Sequence, residues 1–307
     1  MKGSIIFLSI LFINSSLLWT SSLARRRLED PKDILGLNSR KRMHSRDVEF
    51  TDLGKEYVRG TIWPKPQSEV RSLTTKYHIL PQKFQFVIST KSQGKAGNYD
   101  VLSSAINRYH ELTFPFKNTC QELIEDDEDI KSITQLKIHV KDFMQPLGEG
   151  MDESYTLEIN AENPVLKSQS VWGALRGLET FSQAVHINGS CYRVARNHIK
   201  DKPRFSFRGF LIDTSRHFIP KRIIFAFLDA MSYSKFNVLH WHIVDDPSFP
   251  YKSKKFPSLH QNGAFSPKHV YQEKDVQDII EYAKLRGIRV MPEFDTPGLQ
   301  IHRFPLY

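Results

Sequence analysis

The stretch from residue 204 to 298 constrains this chain most, because short apolar runs and amphipathic helical patterns alternate there without interruption. Phe207 to Ile212 is a nearly continuous apolar run, as a strand buried on both faces requires. Pro220 opens a helical pattern with Ile223, Ile224, Phe227, Leu228 and Met231 on its inner face. Val238 to Val244 is a second apolar run. Val276, Ile279, Ile280 and Ala283 give a second helix, with Gly287 at its stop. Ile288 to Phe294 is a third run. Repeated β-α units of this kind predict a parallel sheet, either doubly wound or closed into a barrel.

In both architectures ligands sit at the carboxyl ends of the strands. The sequence concentrates its charge there. The first run ends in Asp213-Thr214-Ser215-Arg216-His217, the second passes through His240-Trp241-His242 into Asp245-Asp246, and the third ends in Glu293-Phe294-Asp295. The guanidinium fork suits vicinal hydroxyls or a carboxylate, and carboxylates bind hydroxyls, orient histidines or move protons. Taken singly, each residue divides evenly between function and scaffold. Asp213 reads first as a structural partner of a nearby arginine, and Asp246 as a loop cap or a ligand contact. His240 and His242 have the spacing of metal ligands, but no third ligand is evident in the sequence, so no metal and no cofactor is expected. Convergence on one rim raises Arg216 and Asp245 above the others.

The front of the chain reads differently. Met1-Lys2, an apolar stretch from Ile5 to Leu18 and Ser22-Leu23-Ala24 have the form of an export signal over residues 1–24, with a signal anchor as the alternative. Residues 25–75 read as a basic, weakly structured lead. Much of the net charge of +9 is local to it, in Arg25 to Arg27 and Arg40 to Arg42. No aromatic-basic interleaving or zinc spacing follows, so nucleic acid is not expected as a partner. Residues 76–199 read as a small α+β domain in the order β-α-β-β-α. Its strands are at 84–88, 136–140 and 155–159, its helices at 100–114 and 170–185, and its antiparallel sheet is covered on one face. Gly173 and Gly177 let the second helix lie close to that sheet. Lys200 to Arg204 reads as the junction. Asn188-Gly189-Ser190 is a glycosylation sequon. The two cysteines, Cys120 and Cys191, are either one disulfide or two buried thiols.

The strings DTSRHF at 213–218, NVLHWHIVDDPSFP at 237–250 and GIRVMPEFDTPG at 287–298 resemble glycoside hydrolase family twenty, the β-N-acetylhexosaminidases, and among them the lysosomal animal type. DESYTLEIN at 152–160 and VWGALRGLETFSQ at 171–183 resemble that family's small domain. The resemblance implies an α+β domain followed by a (β/α)8 barrel, of which about three of eight strands lie within 204–298. It implies exo-hydrolysis of terminal non-reducing N-acetylhexosamine from glycans by a substrate-assisted, retaining route, in which the substrate's own acetamido oxygen attacks the anomeric carbon. Arg216 matches the arginine that holds the terminal sugar's hydroxyls. Asp245 matches an aspartate that supports the general acid through a histidine. Arg208, Glu293 and Asp295 match structural positions around the pocket floor. A lysosomal or secreted location and a homologous subunit as partner follow, with no membrane contact once the signal is removed.

The chain departs from the family at its end. The general acid belongs to a His-x-Gly-Gly-Asp-Glu segment, and none occurs in the 307 residues. Gly148 to Glu153 only imitates it, ahead of a small-domain strand, and Asp127-Glu128 sits in an acidic run. Leu299 stands where the supporting histidine should follow Pro297-Gly298, His302 comes three positions late, and the tail 299–307 diverges. The expectation is an incomplete barrel without a general acid, prone to aggregate through its unpaired edges. The competing expectation is a non-catalytic exported protein that binds sugar or pairs with a full-length subunit.

Overall fold

The computed structural model describes residues 62–89, 97–116, 131–188 and 191–295. Residues 1–24, expected to be an export signal, most of the basic lead, Cys120 and the tail 299–307 lie outside the described residues.

The first unit is a sheet with two helices on one face. Its strands are β1 (Ser68–Ile79), β2 (Gln85–Ile88), β3 (Ser132–Ile133), β4 (Gln135–Asp142), β5 (Tyr155–Ile159), β6 (Val165–Ser170), β7 (His186–Asn188) and β8 (Cys191–Asp201). They are ordered β2-β4-β6-β5-β8-β1-β3, with β7 on β8. The expected antiparallel sheet is in fact mixed. β2, β4 and β6 run parallel to one another, and β1 runs parallel to β3, while β6, β5, β8 and β1 are antiparallel neighbours. The parallel part arises because β2 reaches β4 through a helix, α1 (Tyr99–Thr113), a crossover that only parallel strands need. The lead also needs correction. Residues expected to be weakly structured up to 75 include the start of the twelve-residue β1, and Ile62 is buried in the core. At the other end β8 runs through Asp201, inside the expected junction.

Helix α2 (Val171–Ala184) is started by Ser170, whose Oγ accepts the backbone N–H groups of Trp172 and Gly173. Its glycines have the expected role. A Cβ on Gly173 would lie 2.3 Å from the Ser154 carbonyl oxygen, and one on Gly177 would lie 2.2 Å from Leu166 Cδ1. Every residue from Val171 to Phe181 is buried, including Arg176 and Glu179. A helix with one apolar face needs only one neighbour. This one lies between two, the sheet and the second unit.

The second unit is the parallel sheet β9 (Gly209–Asp213), β10 (Val238–Val244), β11 (Arg289–Phe294), in sequential order. Helices α3 (Lys221–Tyr233) and α5 (Glu273–Lys284) pack against each other and on one face of it, and a short α4 (Pro257–Gly263) lies between them in sequence. Pro220 is the N-cap of α3 rather than its first residue. Ile224, Leu228 and Met231 are buried as expected, but Ile223 and Phe227 are half-buried, and Ile280 is exposed on α5. The apolar arcs are narrower than the sequence suggested because each helix meets a single sheet face. Gly287 adopts φ +66 just past α5, the left-handed backbone a helix stop favours.

Among the described residues, β9 and β11 are edge strands. Leu211, on the sheet face opposite the helices, is 45% exposed. Open edges and exposed apolar groups recruit other chains. The 307-residue chain by itself is expected to sediment as oligomers at micromolar concentration. A stable monomer in the ultracentrifuge would contradict this.

Candidate functional site

The carboxyl ends of β9, β10 and β11 converge as the sequence predicted, and the loops after β9 and β10 are tied together. Ser215 Oγ donates to the Ser248 carbonyl at 2.8 Å, and Ser248 Oγ donates to the Ser215 carbonyl at 2.7 Å. Trp241 Nε1 donates to Thr214 Oγ1 at 3.0 Å from the helix-facing side. Sequence reading passed over these small residues because serine and threonine are common in loops. Their signal was position, directly after each strand.

Arg216 projects from this clasp. Its Nη1 donates to Asp213 Oδ2 at 2.8 Å, and its Nη2 pairs with Asp245 Oδ2 at 2.5 Å. Asp213 Oδ1 accepts the backbone N–H groups of Ser215 and Arg216, which fixes the turn. Asp245 is buried and also accepts the N–H of Asp246 at 2.7 Å. The Arg216 side chain remains 53% exposed. Its backbone and guanidinium are therefore held while its outer edge faces solvent.

The register brings the histidines into the same network. His242 lies opposite both Asp213 and Glu293, and His240 lies opposite Leu211 and Met291. Glu293 Oε2 is 2.8 Å from His242 Nδ1 and 2.8 Å from His240 Nε2, and His242 Nε2 is 3.0 Å from Asp245 Oδ2. Burial alone would lower the His242 pKa. The hydrogen bonds to Asp245 and Glu293 outweigh it and hold the imidazole above its ordinary value. Burial would raise Asp245, but His242, the Asp246 N–H and Arg216 hold it below the usual carboxylate range. Glu293 is lowered chiefly by its hydrogen bond with His242.

These shifts set a pH window. A histidine raised on folding adds stability below about pH 6.5, lost as pH rises through its folded pKa, while lowered carboxylates add stability above about pH 4. The urea midpoint of the chain should exceed that of a His242→Gln variant most between about pH 5 and 6.5, with the difference shrinking by pH 8. A difference that grows with pH would show that the imidazole is neutral in the fold.

The sequence reading found no third metal ligand. The structure corrects this: ligand atoms of His242, Glu293 and Asp295 lie within 4.8 Å of one another. Both imidazole nitrogens already face carboxylates, and the Arg216 guanidinium stands 3.1 Å from Nε2. Hydrogen bonding accounts for the positions of His242 and Glu293.

Arg208 needs a second correction. The sequence placed it beside the pocket floor, but it precedes β9 at the amino-terminal end of the sheet, away from the rim. There it donates to Glu153 Oε1 at 2.6 Å and to the Lys235 carbonyl at 2.8 Å. Glu153 is buried and also accepts Arg176 Nε at 2.8 Å and Asn237 Nδ2 at 3.2 Å. Asn188 ends β7, with its side chain outside the described residues. Cys191 is disulfide-bonded, and the only other cysteine in the sequence is Cys120.

Fold and rim together define a β/α protein whose parallel strands deliver a fixed arginine and several carboxylates to one mouth, suited to a polyhydroxylated ligand. The comparisons narrow that class. "Glycosyl hydrolase family 20, catalytic domain" matches residues 205–302, and "beta-acetyl hexosaminidase like" matches residues 62–184. The start at 62 agrees with the buried Ile62 and with β1. Human beta-hexosaminidase subunit beta is 46% identical over 244 residues, covering 77% of this chain and 43% of that protein. Mouse beta-hexosaminidase subunit alpha is 44% identical over 247 residues, covering 77% and 45%. Among solved structures, a Flavobacterium johnsoniae chitobiase aligns with a TM-score of 0.65 and 28% identity, over 79% of this chain and 35% of that one. The chain belongs to glycosyl hydrolase family 20, in its animal hexosaminidase branch. It spans less than half the length of the curated relatives it matches.

Proposed function

We propose that this chain carries the hydroxyl-holding half of a β-N-acetylhexosaminidase pocket, on the first three strands of a (β/α)8 barrel. Arg216, gripped by Asp213 and Asp245 yet open to solvent, is the observation that supports the reading. Sequential strand order with both long helices on one face favours a barrel over a doubly wound sheet, where the order reverses. Arg216 holds the hydroxyls of the terminal sugar, and Asp245 fixes Arg216 and supports the acid through a histidine. The substrate's acetamido oxygen attacks the anomeric carbon. The proton for the leaving oxygen comes from a His-x-Gly-Gly-Asp-Glu segment, which the 307 residues do not contain. Export through the secretory pathway to a lysosomal or secreted location, glycosylation at Asn188 and pairing with a homologous subunit complete the proposal.

The test is hydrolysis of a chromogenic N-acetylglucosaminide. The 307-residue chain alone should show no turnover above background. Extension through a family-type second half carrying the acid segment should restore it. Turnover by the chain alone that Asp245→Ala abolishes would overturn the assignment of the acid. An extended chain that folds, binds N-acetylglucosamine and stays inactive would favour a sugar-binding or subunit-partner protein.

A further inference from the structure

On the first sheet, the face turned away from α1 and α2 has a cleft of about 520 Å³. Its floor is a rung of side chains running across four neighbouring strands. Thr156 on β5 lies opposite Lys167 on β6 and opposite Lys200 on β8, and Lys200 lies opposite Ser68 on β1. Residues directly opposite on antiparallel strands have their Cβ atoms about 5 Å apart. The two lysines therefore stand about 10 Å apart with a threonine hydroxyl between them, and Lys202, Gln169 and Ser154 line the same cleft. Among the described residues, no carboxylate lies within ion-pair distance of Lys167, Lys200 or Lys202. Two carboxylates lie near. Glu158, one rung away on this face, is 3.9 Å from His198. Asp201, at the cleft's end, already accepts Lys235 Nζ at 3.2 Å, the Tyr155 hydroxyl at 3.0 Å and the Gln67 N–H at 3.2 Å. The one acidic group in the lining is thus neutralised from the side of the second unit, and the cleft keeps the charge of its lysines.

Lys167 and Lys200 are not directly opposite each other, so their mutual repulsion across Thr156 is mild, while a small anion seated between them is attracted by both. Spacing, hydroxyl lining and open access fit a compact anion with several acceptor oxygens. We propose that this cleft binds a tetrahedral oxyanion, the sulfate or monophosphate group of a small ester. It is separate from the Arg216 rim. The cleft lies where β5 begins and β8 ends, beside Glu153 and Lys235, toward the amino-terminal ends of β9 to β11.

Hydrogen exchange of the intact chain tests this whatever its state of association. At constant ionic strength, inorganic sulfate and inorganic phosphate should each slow exchange in segments 154–168 and 198–202, saturating with concentration. Lys167→Gln/Lys200→Gln should weaken the apparent affinity by about tenfold or more. Lys252→Gln/Lys254→Gln, an equal charge change elsewhere, should not. Glucosamine 6-sulfate and glucose 6-phosphate as further ligands distinguish the two sources. Protection that never saturates, that spreads over the whole chain, or that survives in the Lys167/Lys200 variant would mean an adventitious ion only and would overturn the proposal.

Discussion

Replacing Glu153 by alanine should cost about 3–5 kcal/mol of stability, the range seen when one partner of a buried ion pair is removed. Its side chain is 3% exposed and accepts from Arg176, Arg208 and Asn237. The loss strands two guanidiniums, one of them 3% exposed, in a site where water does not replace the carboxylate. Arg176 also donates to the Gly287 carbonyl at 2.9 Å and lies within reach of the carbonyls of Phe236 and Arg286. Glu153→Ala should therefore loosen the second unit from the first as well as weakening both. Trp172 and Trp241 are buried in the separate cores, so backgrounds that keep one of them and replace the other three tryptophans by phenylalanine report each unit by itself. A urea titration at nanomolar concentration should show their fluorescence transitions coincide with Glu153 in place. In Glu153→Ala the second unit should melt first. A variant melting within about 1 kcal/mol of the wild type would mean the network is relaxed or solvated.

Arg216→Met should be the most damaging substitution at the rim. Hydrogen bonds from a charged donor contribute about 1.5–3 kcal/mol each, so two to sugar hydroxyls amount to about 3–6 kcal/mol, or roughly 10²- to 10⁴-fold in kcat/KM. The measurement requires the extended chain. Arg216→Lys should recover little, since an ammonium cannot reproduce a fork that Asp213 and Asp245 hold in one orientation. The residue is half-exposed, so its melting temperature should move by only a few degrees. A large drop in melting temperature with kcat/KM preserved would make Arg216 a scaffold residue.

The second unit was legible because its strands are covered by helices and read as apolar runs. The rim was legible because charge sits directly after each run. The missed parts share a physical cause. β1 carries exposed residues such as Val70 and Leu73 beside polar ones, so no period-two pattern marks it. β6 and β8 are stretches whose burial depends on neighbours far away in the chain. Glu153 was set aside as an imitation of a catalytic motif. Its role depends on Arg176 and Arg208, respectively 23 and 55 residues downstream, which no local pattern connects. Arg208 was placed at the pocket floor by the resemblance alone, although its position at the start of the apolar run already set it at the end of the strand away from the rim.

Helix α2 also imposes a schedule on synthesis. The Gly287 carbonyl that receives Arg176 lies 111 residues later in the chain. At about 5–20 residues per second, the ribosome delivers it roughly 6–22 s after the helix emerges. During that interval the helix has one side docked and the other, with its buried arginine and glutamate, uncovered. The nascent protein thus passes through an obligatory waiting state, and anything that lengthens the delay, such as slow codons between Thr180 and Gly287, prolongs the exposure of that face.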